Sequence, residues 1–208
     1  MASLEQVRAW IDRLEAVYTE NKEYLTELDS AIGDADHGIN MARGFIAAKQ
    51  ALAENPPADI GALLKSVSMT LIKTVGGASG PLYGTFFLKA AMTCTGQTEL
   101  DAEGIEKLFE DGINGVKQRG KAVVGDKTMI DAWEPALTAI KDTRQNGASI
   151  AEILDAAVAA AEQGRDSTVP LVARKGRASY LGERSKDHQD PGATSTVLML
   201  TAARETLA

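Results

Sequence analysis

The stretch SLEQVRAWIDRLEAVY, residues 3–18, shows the pattern that decides the fold class. Its apolar residues recur every three or four positions, which is the spacing of one face of an α-helix. They are Val7, Trp10, Ile11, Leu14, Val17 and Tyr18. Ser3 and Gln6 have the spacing of a capping box, in which each side chain bonds the other residue's backbone N–H group. We therefore predict a first helix over about residues 3–28.

The same spacing predicts seven further helices along the chain. Their expected ranges are about 38–53, 59–75, 81–95, 102–119, 127–145, 150–166 and 192–207. No segment alternates apolar and polar residues between hairpin turns, and the short run VPLVA, residues 169–173, would have no partner strand. The pattern thus predicts an all-α fold, with one domain over residues 1–208.

Composition and charge exclude several classes of protein. The single cysteine, Cys94, rules out an internal disulfide and a cysteine-rich zinc site. With 22 Lys and Arg against 29 Asp and Glu, the net charge is −7, which argues against non-specific binding of nucleic acid or anionic lipid. No apolar run reaches the length of a membrane span, and the first residues lack the pattern of a signal peptide. We expect a cytoplasmic protein.

The unusual connections between helices are expected at one end of the bundle. Helices joined by short loops tend to run antiparallel, so alternate connections share an end. The connections after the first, third, fifth and seventh helices cover residues 29–38, 76–81, 119–127 and 174–192. The other connections contain ordinary turn residues. A functional site is therefore predicted where these four connections meet.

The first of these connections carries three aspartates, Asp29, Asp34 and Asp36. Carboxylates this close repel one another unless a cation holds them, and their hard oxygens suit Mg²⁺, Ca²⁺ or Mn²⁺. An EF-hand is poorly supported, because the twelfth position counted from Asp34 is Phe45 rather than Glu. The alternative is a solvated loop in which Asp34 or Asp36 caps the next helix. His37 then begins a helix whose first N–H groups would favour an anion.

Two further connections have features of a phosphate site. Residues 76–81, GGASGP, let a backbone approach a ligand closely before a helix begins, although, taken alone, the glycines are better explained by a tight helix–helix turn. Residues 174–190 carry five basic side chains, which would suit phosphate charge beside the aspartates but are also common in a solvated loop. Together the connections indicate a Mg²⁺–nucleotide site and phosphoryl transfer.

The chain resembles the L subunits (DhaL) of bacterial dihydroxyacetone kinases. The resemblance rests on Asp29 followed by GDADHGIN (33–40), then GGASGPLYG (76–84), GDKTM (125–129), RKGRASYLGER (174–184) and DPGA (190–193). These motifs occur in order and span essentially the whole chain. The resemblance implies an eight-helix antiparallel barrel with a nucleotide at one end, and a role in phosphoenolpyruvate-dependent phosphotransfer within glycerol metabolism.

The resemblance also implies the site residues. Asp29, Asp34 and Asp36 would hold two Mg²⁺ ions, and Arg177 would be catalytic. Contacts to ADP or ATP are implied for His37, Gly38, Ile39, Asn40, Ala78, Ser79, Gly120, Met129, Arg177, Asp190, Pro191 and Gly192.

The implied partners are a K subunit, which holds dihydroxyacetone, and DhaM, whose phosphohistidine recharges the bound ADP. The length of the chain and its start at Met1 are those of the stand-alone branch of the family, which keeps ADP bound. Two alternatives stay open. The chain could be an ADP-loaded module that reports to a transcription regulator, or the nucleotide domain of a related kinase of the fatty-acid type.

Overall fold

The computed structural model describes all 208 residues and contains nine α-helices. They are α1 (Leu4–Glu20), α2 (Lys22–Ile32), α3 (His37–Glu54), α4 (Ile60–Thr74), α5 (Ser79–Thr93), α6 (Ala102–Gly120), α7 (Ile130–Gln145), α8 (Ile150–Ser167) and α9 (Pro191–Leu207). A 3-10 helix, Arg177–Ser185, lies between α8 and α9 and is kinked at Gly182. The all-α prediction is confirmed.

Two local predictions need correction. The first predicted helix is divided at Asn21, whose side chain donates a hydrogen bond to the Val17 carbonyl at 2.9 Å. The Asn21 backbone N–H donates to the same Val17 carbonyl, and α1 ends there. The expected absence of any sheet is also wrong, but only for two strands of two residues each: β1 (Ala2–Ser3) pairs antiparallel with β2 (Glu99–Leu100).

Eight of the helices form a closed ring. Each of α3 to α9 packs against the next along the chain, and α1 closes the ring between α9 and α3. The helix α2 lies outside this order and packs on α3 and α9. Because consecutive helices are joined by short turns, α1, α4, α6 and α8 begin at one end, and α3, α5, α7 and α9 begin at the other. The predicted eight-helix antiparallel barrel is therefore confirmed.

The interior of the barrel is one cluster of 50 buried residues that draws on all nine helices. Its centre is aromatic: the rings of Phe86 and Trp133 are stacked with centroids 5.0 Å apart, and Trp10 contacts Phe87 and Phe109. Burying large rings removes much apolar surface from water, and this is the main source of the barrel's stability. None of the helices combines the length and the hydropathy needed to cross a lipid bilayer.

Candidate functional site

A cavity of about 410 Å³ opens at the end of the barrel where α3, α5, α7 and α9 begin. All four unusual connections contribute to its wall, at residues 29–37, 76–81, 119–129 and 175–192. The prediction that they meet at one end is confirmed. The volume is within the range of pockets that bind small molecules and cofactors.

The three aspartates lie together on one side of this cavity. One carboxylate oxygen from each of Asp29, Asp34 and Asp36 lies within 4.8 Å of the other two. Asp29 is buried in the last turn of α2, and its Oδ2 accepts hydrogen bonds from the backbone N–H groups of Asp36 at 2.9 Å and His37 at 3.1 Å. Asp29 therefore ties the end of α2 to the start of α3 and brings the carboxylates together.

The backbone between the aspartates is shaped for this arrangement. A Cβ atom at Gly33 would lie 2.0 Å from Asp29 Oδ1, so only glycine allows the Asp29 side chain to lie there. Ala35, between Asp34 and Asp36, has a φ of 60°, a conformation that residues other than glycine seldom adopt. Strained backbone of this kind concentrates at ligand sites. Three clustered carboxylates with hard oxygen donors fit a divalent cation such as Mg²⁺.

His37 lies next to the aspartates but is held by hydroxyl groups. Its Nδ1 is 3.0 Å from Ser79 Oγ and its Nε2 is 2.9 Å from Ser195 Oγ. Ser195 Oγ also donates to the Gly192 carbonyl at 3.0 Å and lies 2.6 Å from the Tyr83 hydroxyl. Because Ser195 donates its proton to Gly192, it accepts from Nε2–H, and Ser79 donates to Nδ1. Burial lowers the pKa of His37, in agreement with this neutral ring.

The glycine-rich connection leads into α5 earlier than expected. The helix begins at Ser79, two residues before the predicted start at Pro81, and its N-cap residue Ala78 makes no side-chain cap. The first N–H groups of α5 are thus not occupied by a cap and point toward the cavity end. Gly76 packs closely on α3, since a Cβ there would lie 3.3 Å from the amide atoms of Asn40 and would need that side chain to shift slightly.

Most of the residues predicted to contact nucleotide line the cavity. They are His37, Ala78, Ser79, Gly120, Met129, Arg177, Asp190, Pro191 and Gly192.

Three residues are placed elsewhere, in the first turn of α3. Gly38 packs against α2, where a Cβ would lie 1.9 Å from the Lys22 carbonyl oxygen, and Ile39 is exposed. Asn40 is buried, and its Oδ1 accepts from the Arg43 guanidinium at 2.5 Å. A nucleotide contact from these three stays a prediction.

Arg177 connects the basic segment to the aspartates. Its Nε lies 3.0 Å from Asp34 Oδ2 in the wall of the cavity, and two-thirds of its side chain is exposed. An ion pair this exposed contributes little stability, at most about 1 kcal/mol. The guanidinium is therefore free to exchange Asp34 for another anion at small cost.

Asp190 is a buried carboxylate in the wall of the same cavity. It begins α9, and its Oδ2 accepts from the Ala193 N–H at 2.8 Å. Burial raises the pKa of Asp190 to about 7, more than the hydrogen bond to Ala193 lowers it. This carboxylate would gain from a nearby cation or from a proton.

The sequence placed the connection 119–127 at the site but did not predict how Asp131 shapes it. The helix predicted from residue 127 begins at Ile130, because Asp131 accepts from the N–H groups of Gly125 at 2.6 Å and Thr128 at 2.7 Å. These bonds hold a compact loop in which Lys127 has a φ of 63°. The apolar residues Met129 and Ile130 favour a helix, and an isolated Asp gave no local signal that it would hold a loop instead.

The sequence of the chain is similar to those of known proteins over nearly its whole length. Residues 31–205 match the DAK2 domain. The chain is 48% identical over 198 residues to the PEP-dependent dihydroxyacetone kinase, ADP-binding subunit DhaL, of Escherichia coli K12, covering 95% of this chain and 94% of that protein. It is 38% identical to the PTS-dependent subunit DhaL of Lactococcus lactis over the whole length of both chains.

A similar fold is known from a crystal structure. The dihydroxyacetone kinase of C. freundii, in complex with AMP-PNP and Mg²⁺, has a TM-score of 0.73 and 28% identity, covering 99% of this chain and 34% of that one. The relationship therefore holds in sequence and in structure across nearly all of the chain. The chain belongs to the DAK2-domain family, among the DhaL ADP-binding subunits of dihydroxyacetone kinases.

Proposed function

We propose that the chain binds ADP, presents it for phosphorylation by a phosphohistidine of DhaM, and passes the phosphoryl group to dihydroxyacetone held on a K subunit. In the first transfer a P–N bond of the donor breaks and a P–O bond to ADP forms. In the second, that phosphoryl group moves to a hydroxyl oxygen of the acceptor. The names of the E. coli and L. lactis subunits support ADP binding and dependence of the kinase on PEP or the PTS, and the two transfer steps are our proposal.

One observation carries the proposal. The carboxylate cluster and Arg177 lie side by side in the wall of one cavity, with Arg177 Nε 3.0 Å from Asp34 Oδ2. A site that holds phosphates needs both cations and a guanidinium, because phosphoryl transfer depends on positioning and charge neutralisation. The uncapped first turn of α5 adds backbone N–H donors to the same cavity.

The residues take distinct roles in this proposal. Asp29, Asp34 and Asp36 would hold two Mg²⁺ ions, which neutralise phosphate charge when bound. Ala78, Ser79, Gly192 and the apolar wall at Met129 would enclose the nucleotide. Arg177 would supply its planar fork of donors to the transferring phosphoryl group, where its charge acts most strongly in the transition state.

The partner subunits follow from the same roles. The charged residues Asp29, Asp34, Asp36 and Arg177 of the cavity are already assigned to the metal ions and the phosphates in this proposal. The acceptor is thus proposed to come on the K subunit, docked at the open end of the barrel. A transcription regulator as a third partner, and a chain of the fatty-acid kinase type, stay predictions without support from a contact in the structure.

The test is a turnover count with a catalytic amount of nucleotide. The chain is stripped of nucleotide, loaded with one equivalent of ADP, and mixed with purified K subunit, dihydroxyacetone, and DhaM with its phosphoenolpyruvate-dependent donors. We expect many equivalents of dihydroxyacetone phosphate per ADP, and none without the chain. In a parallel reaction the chain is loaded with ATP instead. If that reaction stops at one equivalent of product, the bound ADP is not recharged in place and this part of the proposal is wrong. If neither reaction gives product, the chain binds nucleotide but does not transfer the phosphoryl group.

A further inference from the structure

Lys127 is a charged side chain at the centre of a buried contact that the proposed reaction does not use. It is 1% exposed, and its Nζ donates to three backbone carbonyls: Thr168 at 2.8 Å, Val169 at 3.3 Å and Leu171 at 3.1 Å. An ammonium group has three donors, and all three have a partner here. Burial lowers the pKa of Lys127, while nearby carboxylates oppose that effect.

The backbone that carries Lys127 is rigidly held. Its φ of 63° is in the left-handed region, and the loop around it is tied by Asp131 and by Asp126, whose Oδ2 accepts from the Val123 N–H at 3.0 Å. Strained backbone persists only where its surroundings hold it in place. The loop therefore presents a fixed ammonium group to the segment it contacts.

The three carbonyls belong to the base of the connection that carries Arg177. They follow the last turn of α8, and the neighbouring Asp126 carbonyl accepts from the Arg174 N–H at 3.0 Å. The far end of the connection returns to the same place. The Asp187 N–H donates to the Val169 carbonyl at 2.8 Å, and the Asp190 N–H donates to Thr168 Oγ1 at 3.0 Å. Both ends of the connection thus meet at the Lys127 loop and at residues 168–171, and the Val169 carbonyl accepts from both Lys127 and Asp187.

Beyond this base, the buried Ser185 Oγ joins the two arms of the connection by accepting from the Ala173 N–H at 2.9 Å. The middle of the connection packs through a small apolar cluster of Ile32, Ala173 and Ala178. Its tip is fixed by the exposed pair between Arg177 and Asp34. Because the contacts at the tip are weak, the position of Arg177 depends on the geometry at the base.

We propose that Lys127 is a positioning residue: by gathering the carbonyls of residues 168, 169 and 171, it fixes the base of the connection and so the place from which Arg177 reaches the cavity. The inference rests on the proposed function for its kinetic consequence, but its structural part stands on the contacts alone. Lys127 does not touch the phosphates. Its effect on transfer passes through Arg177.

The kinetic test is a double-mutant cycle. Lys127→Met, Arg177→Ala and the double variant are compared with the unchanged chain in single-turnover transfer from bound ATP to the K subunit. Misplacing a catalytic group by about 1 Å can cost about 100-fold, so we expect a loss of that order for Lys127→Met, with little change in ADP affinity. In the Arg177→Ala background the same change should alter the rate less than about twofold, because coupled residues are not additive. A full loss in that background would overturn the proposal.

A second measurement keeps the structural part separate from activity. Amide hydrogen exchange of Arg174 and Asp187, both hydrogen-bonded at the base, should become faster in Lys127→Met while the barrel core keeps its protection. Lys141→Met, which removes a surface partner of Glu110, is the matched control and should change neither exchange nor transfer. If these exchange rates are the same in Lys127→Met as in the wild-type chain, the proposal is wrong. This result does not depend on whether the wild-type chain transfers a phosphoryl group.

A conservative variant guards against simple misfolding. Lys127→Gln keeps a donor at this position and should fall between the unchanged chain and Lys127→Met in both measurements. If both variants lose the cooperative unfolding transition of the barrel, Lys127 is a general stability residue and the positioning role is wrong.

Discussion

The two ends of the barrel differ in how the first backbone N–H groups of their helices are bonded. At the end away from the cavity, four helices begin with a side-chain cap on the backbone: Ser3, Asp59, Asp101 and Ser149. At the cavity end, α3, α5 and α7 begin without a cap from their own N-cap residue, and only α9 has one, from Asp190. At the cavity end the α3 and α7 starts are bonded to side chains outside the helix, His37 N–H to Asp29 and Ile130 N–H to Thr128, so the donors left for a ligand are those of α5.

Backbone strain is divided between the ends in the same way. All four residues other than glycine with positive φ lie in the connections at the cavity end: Ala35, Lys121, Lys127 and Asp187. The carboxylate cluster and the buried Asp190 lie there too. The end away from the cavity thus stabilises the fold, whereas strained backbone and clustered carboxylates lower the stability of the cavity end. Such a loss of stability is common at functional sites.

Replacing Arg177 should give the largest effect and show what the cavity end is for. An arginine that neutralises a transferring phosphoryl group contributes about 1000-fold or more to the rate, so Arg177→Ala should lose about that much single-turnover transfer. Arg177→Lys should also lose most of the rate, because it lacks the planar fork. ADP affinity, measured by calorimetry, should fall less than about tenfold. If both variants transfer at the wild-type rate, Arg177 has no catalytic role and residues 174–190 are a solvated basic loop.

Replacing Asp34 should separate binding from folding. Asp34→Asn removes one of three clustered carboxylates, so ADP affinity in the presence of Mg²⁺ should fall at least about tenfold, equal to 1.4 kcal/mol. Without nucleotide, the free energy of unfolding should stay within about 1 kcal/mol, because the exposed pair with Arg177 contributes little and carboxylate repulsion is relieved. A larger loss of stability by denaturant unfolding would indicate a structural role for Asp34.

The buried Asp190 should make the stability of the cavity end depend on pH. Its pKa is raised from the ordinary 3.8 to about 7, so the folded state binds the proton more tightly than the unfolded state. Stability contributed by the protonated group is complete below pH 3.8 and is lost as the pH rises to about 7.

Asp190→Asn, which can still cap α9, should abolish that component. In chain free of metal and nucleotide, the variant should unfold like the unchanged protein near pH 4 but gain at least about 1.4 kcal/mol near pH 8. The reverse order of stability, or an equal effect at both pH values, would show that Asp190 is held as an anion.

A cap at the far end should give the smallest effect, on stability alone. Asp101→Ala removes the carboxylate that accepts from the Gly104 N–H at 2.8 Å, and losing such a cap costs about 1 kcal/mol. The melting temperature should therefore fall by about 2–4 °C, with ADP affinity and transfer unchanged. A loss of affinity from this variant would mean that the two ends are energetically coupled.

The sequence predicted the far end better than the cavity end, for a physical reason. Caps such as Ser3 with Gln6 and Ser149 with Glu152 join residues three positions apart, so a short stretch contains all the information. The aspartates and the glycine-rich connection were also recognisable, because their chemistry is local.

Most of what the sequence could not predict joins distant residues. The contact of His37 with Ser195 spans 158 positions, and those of Lys127 with residues 168–171 span at least 41. Such pairs exist only after the barrel has closed. The start of α7 was missed although its bonds are local, because Asp131 accepts from the N–H groups of Thr128 and Gly125, three and six positions before it, and holds a loop where the apolar pattern indicates a helix.

The central claim is that the cavity end binds nucleotide through a divalent cation held by its aspartates. Calorimetry of ADP with the nucleotide-stripped chain, with Mg²⁺ and then with EDTA, tests it most directly. Since carboxylates and phosphates repel each other without a cation, we expect ADP affinity to fall by at least about 100-fold in EDTA, or 2.7 kcal/mol. Equal affinity in both conditions would contradict the claim.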